Sequence, residues 1–137
     1  MIVLDTHTLI WLIAGDRRLG ETARAAIEES AQTDRAAVSA ITPWEIAMLA
    51  EKGRLRLGRE VRSWIDEALA LPGIFLAPIE PAVAIDSVRL PGGFHADPAD
   101  RFIVSTARRF DAPVITADRA ILSYAATGHV RAMDAAA

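Results

Sequence analysis

"MIVLDTHTLIW", residues 1–11, decides the fold. Its first four residues are apolar without alternation, and the run closes on Asp5. An unbroken short apolar run suits a strand buried on both faces, as in a parallel sheet covered by helices. The stretch from Thr6, "THTLIWLIAG", reads as a helix with Gly15 as its stop. A strand passing through an acid into a helix is one strand–helix unit.

The rest of the chain repeats that unit. "RAAVSA" (35–40), "IFLAPI" (74–79) and "APVITA" (112–117) read as further short strands, and "HVRAM" (129–133) as a last edge strand. Between them lie helical stretches. "GETARAAIEESA" (20–31) sets Leu19, Ala23 and Ile27 on one face. "TPWEIAMLAEKG" (42–53) has Thr42 as N-cap, Pro43 at the first position and Gly53 as terminator. "REVRSWIDEALAL" (59–71) ends at Pro72-Gly73, and "PAVAIDSVRL" (81–90), "ADRFIVSTARRF" (99–110) and "DRAILSYA" (118–125) follow. This alternation predicts an α/β fold: one domain over residues 1–137, with a mostly parallel central sheet of four to five strands flanked by helices. In such sheets function collects at the carboxyl ends of the strands. Asp5 and Asp118 stand at two of those ends.

Bulk properties narrow the class. At 137 residues, 52% hydrophobic and 24% charged, the chain reads as globular material with a real core. No apolar run approaches the ~18 residues of a membrane span. The N-terminus has no basic segment and carries an early Asp, unlike a signal peptide. There is no Cys, which excludes disulfides and thiolate metal sites; a cytoplasmic location is expected. The net charge of −3 does not advertise nucleic-acid binding, although of the 15 basic residues all but Lys52 are Arg. Arg forks suit phosphate, and a biased base composition explains the same excess.

Four carboxylates look misplaced. Asp5 closes an apolar strand, and Asp118 ends the fourth strand and opens a helix. Glu45 lies in the expected first turn of its helix, with Met48 and Leu49 three and four residues on. In "DPADRFIVSTA" (97–107), Asp100 heads the apolar stripe of Ile103, Val104 and Ala107, where a carboxylate is costly. Taken singly, each reads well as an N-cap or a first-turn acid favoured by the helix dipole. Asp97, directly before Pro98, fits capping best. Together, the four lie at element ends that a parallel sheet can gather. Gathered carboxylates repel and need protons or a cation. His7, His95 and His129 have no ligand-like spacing, so an all-oxygen site for Mg²⁺, or Mn²⁺, follows rather than one for Zn²⁺. Such an ion supports phosphodiester hydrolysis.

With those residues in view, the chain resembles the PIN-domain proteins, and within them the VapC-type toxin ribonucleases of type II toxin–antitoxin systems. The matching pieces are "LDTHTLIWLI", "SAITPWEIAML", "HADPADRFIVSTA" and "PVITAD", in the family's order from residue 4 to residue 118. The resemblance implies a PIN-like three-layer fold. It implies that Asp5, Glu45, Asp100 and Asp118 form an acidic metal-binding quartet, with Asp5 and Asp100 foremost, and that Thr6 and Thr116 support it. It also implies Mg²⁺-dependent RNA cleavage, a homodimer and a small cognate antitoxin. Ala99 departs from the bulkier residue usual in the acidic box, which touches packing and not the acids.

Other features allow two readings. "KGRLRLGREVR" (52–62) carries Lys52, Arg54, Arg56 and Arg59, either as a grip on RNA phosphates or as a solvated helix end. Trp11, Trp44 and Trp64 read mainly as core or interface, with base stacking as the alternative. His7 reads first as an ordinary helix position, and His95 sits in a loop beside the acids. A haloacid-dehalogenase-type phosphotransferase needs an Asp where His7 stands; a receiver module needs a Lys after a late strand, and Lys52 is elsewhere. A non-catalytic PIN scaffold that binds RNA or protein is the remaining alternative.

Overall fold

A computed structural model describes residues 1–33, 35–94 and 97–137. Its centre is a five-stranded sheet in the order β3-β2-β1-β4-β5, made of β1 (Ile2–Leu4), β2 (Ala36–Ser39), β3 (Ile74–Ala77), β4 (Val114–Thr116) and β5 (Ala132–Asp134). Every pairing is parallel. The helices are α1 (Thr6–Ala14), α2 (Glu21–Ala31), α3 (Ile41–Glu51), α4 (Val61–Leu69), α5 (Pro81–Val88), α6 (Pro98–Phe110) and α7 (Arg119–Ala125).

The unbroken apolar runs are explained by burial on both faces. In β1, Ile2 and Leu4 join one core cluster and Val3 the other. β2 divides the same way, with Ala36 and Val38 on one side and Ala37 on the other. The first cluster is filled by Leu9 of α1, Ile27 of α2, Ile46 of α3 and Trp64 of α4. The second is filled by Ile103, Val104 and Ala107 of α6 and by Ile121 of α7. The result is helix, sheet, helix, as expected for an α/β chain with a parallel sheet. No helix among the described residues is long and apolar enough to cross a membrane.

Of the boundaries that differ from the sequence reading, two have a clear cause in hydrogen bonding. α3 begins at Ile41, ahead of the expected Thr42 cap. Ala40 already has right-handed helical dihedrals, and the Ser39 hydroxyl accepts the Ile41 N–H at 3.1 Å. Glu45 is therefore one turn into its helix, not in the first turn. β5 starts at Ala132, later than the expected His129, because pairing with β4 opens where Val114 N–H donates to the Arg131 carbonyl.

The C-terminal alanines have a structural task. The N-cap of α2 is Gly20, which has no side chain to offer. Instead Gly20 N–H donates to the Ala135 carbonyl at 2.8 Å and Ala23 N–H to the Ala137 carbonyl at 3.1 Å, so the tail satisfies donors that a helix start leaves open. A Cβ built on Gly20 would lie 1.9 Å from the Ala137 carbonyl oxygen. Gly20→Ala should displace the tail and lower stability by about 1–2 kcal/mol, the worth of a lost cap. Urea unfolding checks this, and an unchanged midpoint would show that the tail contributes nothing.

Candidate functional site

The sheet order reverses between β1 and β4, which puts a topological switch point at their carboxyl ends. Asp5 follows β1 directly and Asp118 lies two residues beyond β4. Each caps the helix it precedes. Asp5 Oδ1 accepts the Thr6 N–H at 2.8 Å, and Asp118 Oδ1 accepts those of Ala120 and Ile121 at 2.8 and 3.1 Å. The capping and site readings of these two acids are thus compatible, because helix starts and strand ends coincide here.

Thr116 ties the two strand ends together. Its hydroxyl donates to Asp5 Oδ2 at 2.5 Å and accepts the Asp118 N–H at 2.9 Å. Thr6 lies beside the acids as expected, with its hydroxyl 3.1 Å from that of Thr42. Thr42, read from sequence as a cap, is instead part of this buried layer. Its signal was spacing, since Thr42 and Glu45 are three apart on α3 and share a face.

Helices α3 and α6 supply the other acids. Asp97 is the N-cap of α6, accepting the Asp100 N–H at 3.0 Å, with Pro98 in the first turn. That fixes Asp100 in the first turn, while Ile103, Val104 and Ala107 below it are fully buried. The stripe packs the helix, and its head is delivered to the switch point. Asp5, Glu45 and Asp100 are only 5%, 9% and 8% exposed. With Asp118 and the exposed Asp97, they line one pocket of about 400 Å³.

Burial and mutual repulsion set the electrostatics. Desolvation pushes Asp5 above the usual carboxylate range, against the Thr116 and Thr6 hydrogen bonds that favour its charge. Glu45 is also raised, first by desolvation, with Thr6 working against the rise. Asp100 is pushed up to about 8, by desolvation and then by the charges of Asp118, Asp97, Asp5 and Glu45. Among the described residues, no Lys or Arg lines the pocket with these acids; His7, at the pocket wall, is exposed.

The donors are all oxygen, which suits a hard divalent ion such as Mg²⁺. That ion keeps several waters and takes one or two carboxylates from a protein. It needs no ready-made ring of ligands, and among the described residues no three His, Cys, Asp or Glu side chains are grouped as one.

Other expected positions divide. Lys52, Arg54 and Arg56 are exposed around the end of α3, while Leu55 and Leu57 between them pack on the core. Arg59 is held by Glu67, with Nη2 donating to Oε1 at 2.8 Å. None of the four lines the acid pocket. His95 lies outside the described residues. Trp64 is buried in the core, and Trp44 is 52% exposed because Thr42, Glu45 and Ile46 take the inward face of α3. Trp11 packs against the core, as the core reading expects, and also lines the acid pocket with His7 and Leu49. The signal available was again spacing, since His7 and Trp11 are four apart on α1, the helix that Asp5 caps.

A family model of the PIN domain matches residues 2–127. The chain is 37% identical over 123 residues to Ribonuclease VapC22 of Mycobacterium tuberculosis (strain ATCC 25618 / H37Rv), covering 90% of this chain and 91% of that protein. Its fold is similar to that of a chain in the crystal structure of VapBC2 from Rickettsia felis bound to a DNA fragment from their promoter. There the TM-score is 0.69 at 16% identity, over 97% of this chain and 98% of the other. A chain of a toxin-antitoxin complex from Klebsiella pneumoniae matches with a TM-score of 0.64 at 21% identity, over 98% of both chains.

Proposed function

The chain belongs to the PIN-domain family, among its VapC-type members, and from that premise we propose that it is a Mg²⁺-dependent endoribonuclease, with Mn²⁺ as a substitute. In this reading it is the toxin of a type II toxin–antitoxin pair and acts in the cytoplasm. Its partners are RNA, a small cognate antitoxin and a second copy of itself. The observation that carries the reading is the gathering of Asp5, Glu45, Asp100 and Asp118, from four separate segments, around one pocket at the switch point.

Asp5 and Asp100 are the proposed direct ligands, with Glu45 and Asp118 completing the site directly or through water. When bound, the ion neutralises charge on the RNA phosphate and makes a water a stronger nucleophile. The protein's own groups prepare for that. Thr116 fixes the Asp5 carboxylate by donating to Oδ2 and ties it to the backbone of Asp118. Asp118 Oδ1 is committed to the start of α7, so Oδ2 would be the oxygen that holds the ion. Asp100, pushed up to about 8 in the metal-free chain, would be deprotonated when it holds the ion. Lys52, Arg54 and Arg56 offer cationic contacts to RNA or antitoxin beyond the pocket.

Expression of the chain alone should arrest growth, and new RNA 5′ ends should accumulate at defined sites. The Asp5→Asn protein, expressed to the same level, should do neither. Equal arrest by both proteins would remove the nuclease reading and return the non-catalytic scaffold.

A further inference from the structure

The acid pocket has a second wall that hydrolysis of a phosphate does not require. Trp11 of α1, Leu49 of α3 and Ala117 after β4 line it beside the carboxylates. A hydrated cation and a phosphate call only for oxygen and charge. An apolar wall beside them answers to something flat and apolar attached to the phosphate.

Trp11 is held for such a role. It is half-buried and packs against the core cluster that Leu9 and Ile10 help to form. The Arg18 guanidinium lies over the indole, its Cζ 4.9 Å from the ring centroid. Arg18 is itself clamped by Asp16, Nη2 donating to Oδ2 at 2.7 Å. That contact holds Asp16 near 2, well below the usual carboxylate range. The Arg18–Asp16 pair covers one face of the indole. His7, one turn earlier on the same face, continues the aromatic edge to the exposed rim, with ring centroids 6.4 Å apart.

We propose that Trp11, in the apolar part of the pocket that Leu49 also lines, is a stacking surface for one unpaired nucleobase next to the scissile phosphate. The proposal rests on the nuclease reading of the pocket and adds a residue that positions a base of the substrate beside the acids. Stacking tolerates every base, since each has a π-face, so the surface selects for an unpaired base and not for its identity. A base stacked within an A-form duplex has no face to offer.

The test is a cycle between protein and RNA. A short, labelled, single-stranded RNA of mixed sequence is bound in Mg²⁺ by the Asp5→Asn protein, which holds it without cutting. The same RNA is then used with one abasic nucleotide walked along it. Trp11→Leu in that background should weaken binding about tenfold, within the range of one base stack, and Trp11→Phe should restore most of the loss. At one abasic position the intact pocket should lose a similar factor, and the Trp11→Leu protein should lose almost nothing further. Thermal melting separates this coupling from a loss of fold, which a merely structural tryptophan would show without it. Unchanged affinity in a folded Trp11→Leu protein, or additive losses at every abasic position, overturns the stacking surface. Failure of the wild-type chain to cut any RNA overturns the nuclease reading instead, and the binding cycle still reports whether a base stacks on Trp11.

Discussion

Replacing Asp5 by Asn is expected to lower single-turnover RNA cleavage on the order of a thousandfold or more while leaving the chain folded. The fold survives because the amide can keep the local hydrogen bonds. Its oxygen can still accept the Thr6 N–H, and its NH₂ can donate to the Thr116 hydroxyl, which has two lone pairs for that bond and for the Asp118 N–H. Cleavage fails because the variant loses a buried negative charge from the site proposed to hold the cation. RNA affinity should change far less than rate, since the lost interaction belongs to the transition state. Rapid-quench cleavage beside equilibrium binding separates the two. A variant that still cuts within tenfold of wild type removes Asp5 from the metal site.

In EDTA, the wild-type chain should lose stability as pH rises, opposite to the usual acid-denaturation trend. Asp100 sits near 8 in the folded chain, against 3.8 for the ordinary carboxyl. Between those values the folded state binds more protons than the unfolded state, so stability falls with rising pH and levels off above about 8. Asp5 and Glu45, also raised, act in the same direction. Asp100→Asn removes one of these raised carboxyls. The metal-free variant should match wild type near pH 4 and exceed it at pH 8.5 by an amount on the order of a few kcal/mol. Mg²⁺ should then reverse the order of benefit. At ten times its dissociation constant the ion adds about 1.4 kcal/mol to the wild type and much less to the variant. Melting across pH in EDTA and in Mg²⁺ reads both effects. A variant less stable than wild type at pH 8.5 in EDTA, with the full Mg²⁺ increment kept, would make Asp100 a helix-start residue only.

Much of this was legible in the residues. Both-face burial made "IVL" and "PVIT" strands, and helix punctuation at Gly15 and Asp97-Pro98 placed α1 and α6. The acids stood out because a carboxylate on an apolar face contradicts its surroundings. What was hidden depends on tertiary contact. The start of α3 turns on the Ser39 hydroxyl meeting the Ile41 N–H, which no propensity weighs. The contribution of the alanine tail is not visible in sequence because backbone carbonyls make it, which every residue has. Trp11 looked like core since its neighbours in sequence are apolar. Only the approach of α3 and the end of β4 turns it into a pocket wall.

The central claim is that these acids hold a divalent ion that the cleavage reaction needs. The most direct measurement is single-turnover cleavage by wild-type protein stripped with EDTA and titrated with Mg²⁺, with melting followed in the same solutions. No cleavage in EDTA is predicted, with activity and melting temperature rising over one shared concentration range and neither rising in Asp5→Asn. Full cleavage in EDTA, or equal restoration of the Asp5→Asn protein by Mg²⁺, would contradict it.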